Sequence, residues 1–421
     1  MELILISIFL FAYVLIIIER WHRTSIVFFF STILIILGFL TPTEAWNFVD
    51  FNTLGLLLGM MIMVSFFKRT GLFEFLAIKS VKVARGNIFI LFLLFFILTG
   101  VVSSLLDNVT TVLLITPVSI LVADMIGVSP YPFLVGEILS SNIGGTATLI
   151  GDPPNIMIGS ATGLSFIDFL LNLGPVVIII SIVVILYFKF VVGKRFSLKG
   201  SFDPAIVSLE PQKAIKDWGL LKITLSVFTL VLLGFFTHDL LNIPPSIVAL
   251  FGASLLLILT EVHPEDYLKE VEWTTLFFFA GLFILVGALE NAGIMEMVSE
   301  HILNITSNFK LLVFIILLTS AVISGIIDNI PFVAAMIPVT FSIMNKMHYP
   351  NSEVLWWALA LGSCLGGNAT LIGASANVVV AGISEKTRTP VTFRNYLKYG
   401  IPVTIISIVI SALYLYLRYL M

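Results

Sequence analysis

Apolar stretches of helical length, broken by short polar ones, run the whole chain, and the breaks fall in the same order twice. In the first half the stretches lie near 3–19, 24–41, 48–67, 72–85, 88–124, 131–162 and 167–192. In the second they lie near 218–238, 245–260, 272–290, 294–306, 309–345, 352–382 and 395–420. About 20 apolar residues in a helix span the hydrocarbon core of a bilayer. The pattern therefore predicts an all-α polytopic membrane protein. Gly193–Asp217 is the only long polar stretch. It divides the chain into a first repeat over 1–192, a linker over 193–217 and a second repeat over 218–421.

The stretches near 131–162 and 352–382 each hold a knot of helix breakers. Asn142 to Asn155 reads Asn-Ile-Gly-Gly-Thr-Ala-Thr-Leu-Ile-Gly-Asp-Pro-Pro-Asn. Cys364 to Asn377 reads Cys-Leu-Gly-Gly-Asn-Ala-Thr-Leu-Ile-Gly-Ala-Ser-Ala-Asn. Glycine and proline at that density end a helix, yet the flanks Tyr131–Ser141 and Ile156–Ala161 are each too short to cross alone. One crossing broken in its middle satisfies both facts. Gly144 matches Gly366 and Asn155 matches Asn377, each 222 residues on (366 − 144; 377 − 155). The match extends to Ser25-Ile26-Val27 with Ser246-Ile247-Val248, Asp107-Asn108 with Asp328-Asn329, and Pro117-Val118 with Pro338-Val339. Broken helices at corresponding positions of two halves point to a transporter's binding site.

The stretches 88–124 and 309–345 each fold about an Asp-Asn turn, at Asp107 and Asp328. Each arm is long enough to cross the membrane or to re-enter it. A two-residue turn with no polar loop favours a tip buried in protein, hence a re-entrant hairpin. Each half then holds about five transmembrane helices, one hairpin and one broken helix. The odd number of crossings gives the two repeats inverted topology. Basic residues set the orientation, because cytoplasmic loops are enriched in Lys and Arg. With the N-terminus outside, 19 of the 22 basic residues fall inside, leaving Lys310, Lys346 and Arg418. Both termini are expected outside and the 193–217 linker in the cytoplasm, in a prokaryotic plasma membrane.

Composition agrees with this class. Of 421 residues 59% are hydrophobic and 11% charged, with a mean hydropathy of +1.10. Soluble chains carry roughly 25% charged residues. A net charge of −3 gives no footing for nucleic acid. Cys364 is alone, which excludes an intrachain disulfide and a thiolate metal cluster. It reads as a small packing residue. Met1–Ile18 lacks a basic start and a cleavage site, so it reads as a retained first helix.

The candidate chemistry gathers at the tips and breaks. Asp107 and Asp328 are ionisable groups at membrane depth, which usually mark an ion or proton path. Each can also cap the helix that follows it. Asn108, Asn329, Asn155 and Asn377 can offer carbonyls to a cation or amides to an anion. Asn142, Asn368, Thr110, Thr146, Thr148 and Thr370 add further polar groups, and Gly144, Gly145, Gly366 and Gly367 free the backbone around them. Helix N-termini favour anions and free carbonyls favour cations. Glu137 and Asp152 have no acidic counterparts, since their matches are Leu359 and Ala374. Glu137 is a candidate proton carrier with Asp107 and Asp328.

At Asp107-Asn108-Val109-Thr110-Thr111, Asn142-Ile143-Gly144-Gly145 and Gly151-Asp152-Pro153-Pro154-Asn155 the chain resembles the ion transporter superfamily, in its arsenite permease (ArsB) and melanosomal P protein branch. Asp328-Asn329-Ile330-Pro331-Phe332 and Gly366 to Asn377 carry the same resemblance. It covers nearly the whole chain. It implies a dimerising scaffold and a transport domain that moves like an elevator. Dicarboxylate carriers of the superfamily place Ser-Asn-Thr at both tips, where this chain has Asp107-Asn108-Val109 and Asp328-Asn329-Ile330. Carboxylates there repel a dianion unless protonated or neutralised. The expected function is secondary transport of a small inorganic anion or metalloid, coupled to H⁺ or Na⁺. A sodium/proton antiporter is the alternative, with a dicarboxylate carrier or an anion channel behind it. No enzyme activity and no cofactor beyond the coupling ion are expected. No nucleotide-binding motif indicates an ATPase partner.

Overall fold

The computed structural model describes residues 2–18, 20–193, 210–347 and 349–421, and all regular structure among them is helical. The first half comprises α1 (Glu2–Ile18), α2 (Arg23–Ile36), α3 (Pro42–Phe48), α4 (Phe51–Thr70), α5 (Leu72–Ala84), α6 (Ile88–Leu105), α7 (Asn108–Ile126), α8 (Tyr131–Gly145), α9 (Pro153–Thr162) and α10 (Phe166–Tyr187). The second repeats that order with α11 (Trp218–Leu241), α12 (Pro245–Leu259), α13 (Pro264–Leu268), α14 (Trp273–Asn291), α15 (Ile294–Ile305), α16 (Phe309–Ile326), α17 (Asn329–Met347), α18 (Val354–Gly366), α19 (Ser375–Ser384) and α20 (Phe393–Leu415). Most of the 193–217 linker lies outside the described residues.

Polar residues in the brief interruptions start the helices. Asp50 accepts from the amides of Asn52 and Thr53, Asn87 from Ile90 and Asn308 from Leu311. These bonds satisfy amides that have no partner within the helix. The short α3 interrupts what the hydrophobic pattern presents as the end of one helix near 41. Thr41 and Glu44 build a reciprocal capping box there, with Pro42 at the first helical position.

The hairpins are re-entrant, and side-chain register proves it. Ser140 donates to the Phe96 carbonyl at 2.5 Å and Ser103 to the Ser141 carbonyl at 2.7 Å, so α6 climbs beside α8 in the same direction. On α7, Asn108 meets Asn142, while Thr116 and Ser119 meet Glu137, so α7 descends along α8. Both arms run between the start of α8 and the level of its break. The bond from Ser324 to the Ser363 carbonyl, 2.5 Å, repeats this between α16 and α18. Among the described residues nine helices are long and apolar enough to cross, and four of them are these hairpin arms. The crossings are therefore α1, α2, α4, α8–α9 and α10, then α11, α12, α14, α18–α19 and α20.

The helices sort into two bundles. In one, α4 packs chiefly on α12 and α2 on α14, flanked by α1 and α11. Gly59 lies against the Ala249 backbone and its match Gly281 against Val27, where a Cβ would fall within 2.9 Å of its neighbour. In the other bundle the hairpins embrace the broken helices, with α10 and α20 packed beside them. Ile178 and Ile182 on α10 and Ile405, Val409 and Leu413 on α20 stay exposed, as lipid-facing residues do.

Candidate functional site

Each hairpin tip meets the broken helix of the other half. The start of α7 packs against α19, and α17 packs against α9. Helices α7, α9, α17 and α19 all begin at this level, so four N-termini gather at the centre of the hairpin bundle. Backbone amides at such ends are unpaired and carry positive potential.

A chain of amides links the halves. Asn108 Nδ2 donates to Asn142 Oδ1 at 3.1 Å. Asn142 Nδ2 reaches Asn368 Oδ1 and Asn377 Oδ1, both at 2.9 Å. Asn377 Nδ2 binds the carbonyls of Gly367 and Thr370 at 2.7 and 2.8 Å. Asn155 likewise binds those of Thr146 and Thr148 at 3.1 and 2.8 Å. The two matched asparagines thus brace the unwound segments from inside. Cys364 stands where the repeat would put a second Asn142, its thiol 3.6 Å from Asn155 Oδ1. It is buried at the centre of the site, a place its alignment with Asn142 signals.

The glycines make the close approach. A Cβ on Gly144 would sit 2.6 Å from the Gly100 Cα, and one on Gly366 would sit 2.6 Å from the Ala321 Cα. Gly145 and Gly367 abut the carbonyls of Gly151 and Gly373 across each break. The threonine hydroxyls serve the same architecture. Thr146 donates to the Asn142 carbonyl, Thr148 to the Ser104 carbonyl, and Thr370 accepts from the amides of Ile372 and Gly373. These bonds lie within the breaks. Asn108 Oδ1, by contrast, is buried without a donor.

The acids differ in company. Asp107 caps the Thr110 amide at 2.9 Å and accepts the Thr110 hydroxyl. Asp328 caps Ile330 at 3.2 Å, and its Oδ2 accepts from Arg23 at 2.8 Å and from Ser375 at 2.6 Å. Asp152 is fully buried and faces Asn329 Nδ2 at 3.4 and 3.5 Å. Glu137 is bonded to Thr116 and Ser119 between α7 and α8, away from the tips. The structure therefore brings together Asp107, Asn108, Asn142, Asp152, Asp328, Asn329, Asn368 and Asn377, and leaves Glu137 apart.

Two clefts flank this centre, one towards each end of the molecule. The larger, of about 420 Å³, is walled by Arg23, Glu272, Thr274, Val109, Asp328 and Ser375. The smaller, of about 290 Å³, is walled by Asn52, Ile156, Ser160, His238, Pro245 and Ser246. They are repeat counterparts: Asn52 matches Thr274 and Ile156 matches Val378, each 222 apart (274 − 52; 378 − 156), and Arg23 matches Pro244 in the 221-residue register of Ser25 and Ser246 (244 − 23; 246 − 25). Only the larger contains tip residues.

Paired hairpins, inverted repeats and a site of helix ends define a membrane transporter. Residues 13–362 match the family described as citrate transporter. The chain belongs to that family, within the ion transporter superfamily. It is 41% identical over 425 residues to an uncharacterized transporter of Mycobacterium tuberculosis, covering 100% of this chain and 99% of that one. It is 33% identical over 492 residues to the P protein of Homo sapiens, covering 96% of this chain and 58% of that protein. Among solved structures it is similar to the YdaH transporter of Alcanivorax borkumensis, with a TM-score of 0.62 at 15% identity over 90% of this chain and 88% of that one.

Proposed function

We propose that this transporter carries a small anion by secondary active transport, coupled to H⁺ or Na⁺, with the hairpin bundle moving past the other bundle as an elevator. The observation that carries the reading is the meeting of four helix N-termini with buried carboxylates at one level. The N-termini suit an anionic solute, and the unpaired Asn108 Oδ1 with Asp107, Asp152 and Asp328 suits the coupling cation. Thin packing between the bundles, mainly α14 on α17 and α4 on α9, suits sliding. A homodimer joined through the α1, α2, α4, α11, α12 and α14 bundle would hold the fixed part still. An inorganic or metalloid anion fits the crowded acids best; citrate, the substrate in the family's description, would need them protonated or cation-bound.

A sodium/proton antiporter is the second reading, favoured by the buried Asp107 and Asp152 and the half-buried Asp328. Proteoliposomes with imposed pH and sodium gradients separate the two. Gradient-driven uptake of labelled arsenite or citrate is expected. Proton-for-sodium exchange with neither anion moving would establish the antiporter instead, and gradient-independent conductance would sink both.

A further inference from the structure

We propose that Arg23 couples movement of the carrier to occupation of Asp328, an inference resting on the transport reading above. Arg23 opens α2 in one bundle, while Asp328 and Ser375 start α17 and α19 in the other. Arg23 Nη1 donates to Asp328 Oδ2 at 2.8 Å and to Ser375 Oγ at 2.6 Å, and Ser375 donates to the same carboxylate oxygen at 2.6 Å. The three side chains close a triangle across the boundary between the bundles. The guanidinium also lies 4.9 Å over the ring of Phe278 on α14, which holds it to its own bundle. The Arg23 and Asp328 side chains keep 29% and 13% exposure to the larger cleft, so ions from solution reach them. Glu272 and His22 share that cleft, and Asp152 lies behind the tip through Asn329.

Repeat symmetry makes this contact one-sided. In an inverted-repeat carrier the halves exchange roles between the two end states. The counterparts of Asp328, Ser375 and Arg23 are Asp107, Pro153 and Pro244. When Asp107 meets the start of α12 in the opposite state, Pro244 and Pro153 give it no guanidinium and no matched hydroxyl; Ser246 at that helix start already donates to Asn52, and His238 in that cleft accepts from the Phe166 amide. The ion pair therefore exists at one end of the cycle. Leaving that end separates Arg23 from Asp328 and strands a carboxylate in a largely dry site, which is strongly unfavourable. A proton or sodium ion on Asp328 removes the penalty. The carrier leaves this state when a solution cation replaces Arg23, and no such requirement acts at the other end.

The test uses Val109→Cys, which lines the larger cleft, labelled by an impermeant maleimide in proteoliposomes without added solute. Arg23→Gln is expected to lower labelling from the Arg23 side about tenfold, within the usual range of conformational couplings. In the parent, sodium chloride in place of choline chloride, or acid, reproduces that fall, and neither adds to it in Arg23→Gln. The swap of Arg23→Asp with Asp328→Arg restores parental labelling. Unchanged labelling in Arg23→Gln overturns the proposal. So does a swap as impaired as the single variant, or a parent that answers to neither cation. No solute takes part, so these outcomes are independent of the flux assay that tests the transport reading.

Discussion

Asp107 and Asp328 occupy matching places in sequence but have different surroundings. Asp328 has Arg23 as counterion, whereas among the described residues no basic side chain pairs with Asp107, which accepts from the amide and hydroxyl of Thr110. Asn caps a helix about as well as Asp, so Asp107→Asn and Asp328→Asn remove charge and preserve shape. Both variants are expected to fold and to lose gradient-driven uptake, Asp107→Asn more completely, because no built-in cation shares its work. Equal, normal uptake in the double variant would leave capping as the whole role of both residues. The acids and amides were legible because they stood at membrane depth beside helix breakers. Arg23 was not: in a linear reading it is one more inner-face cation, and its partner lies 305 residues away. The local bonds of the threonine hydroxyls were not legible either, since nothing in composition distinguishes closing a break from facing a ligand.

At the level of elements, the doubled glycines tie the hairpins to the broken helices. Gly144→Ala and Gly366→Ala would push a methyl into the backbones of Gly100 and Ala321. Overpacking of this kind typically destabilises by about 1–3 kcal/mol, and more where backbone is the obstacle. Both variants are expected to lower the unfolding temperature in detergent, while alanine at Gly382, which has open space about it, is neutral. A Gly144→Ala protein as stable as the parent would refute the close approach. The broken helices could be read directly, because glycine and proline act locally. Whether the Asp-Asn pairs turned within or beyond the membrane could not be read so, since both arms have crossing length. The tertiary register of Ser103 on Ser141 and Ser324 on Ser363 decided it.

For the molecule as a whole, the repeat made the inverted architecture legible, and charge bias suggested which end faces the cytoplasm. Among the described residues, Lys68, Arg69 and Lys216 of that bias gather at one end. Lys68 and Arg69 pair with Glu270, Lys216 pairs with Glu74, and Thr24 bonds the Thr274 carbonyl beside them. The larger cleft, with Arg23, Glu272 and the hairpin tips, opens at that same end. The smaller cleft, lined by Ser160 and His238, opens at the other. If the positive-inside rule holds here, this conformation is the inward-facing one. Impermeant maleimide is then expected to reach Val109→Cys from the cytoplasmic side of inverted vesicles and Ser160→Cys from the outside of intact cells. Transported solute should shift the two in opposite directions, because the proposed sliding of one bundle past the other would close one cleft as it opens its counterpart. Labelling of Val109→Cys from outside the cell would reverse the orientation. Labelling of both positions from one side would contradict the inverted repeat itself, since matching clefts of inverted halves must face opposite ways.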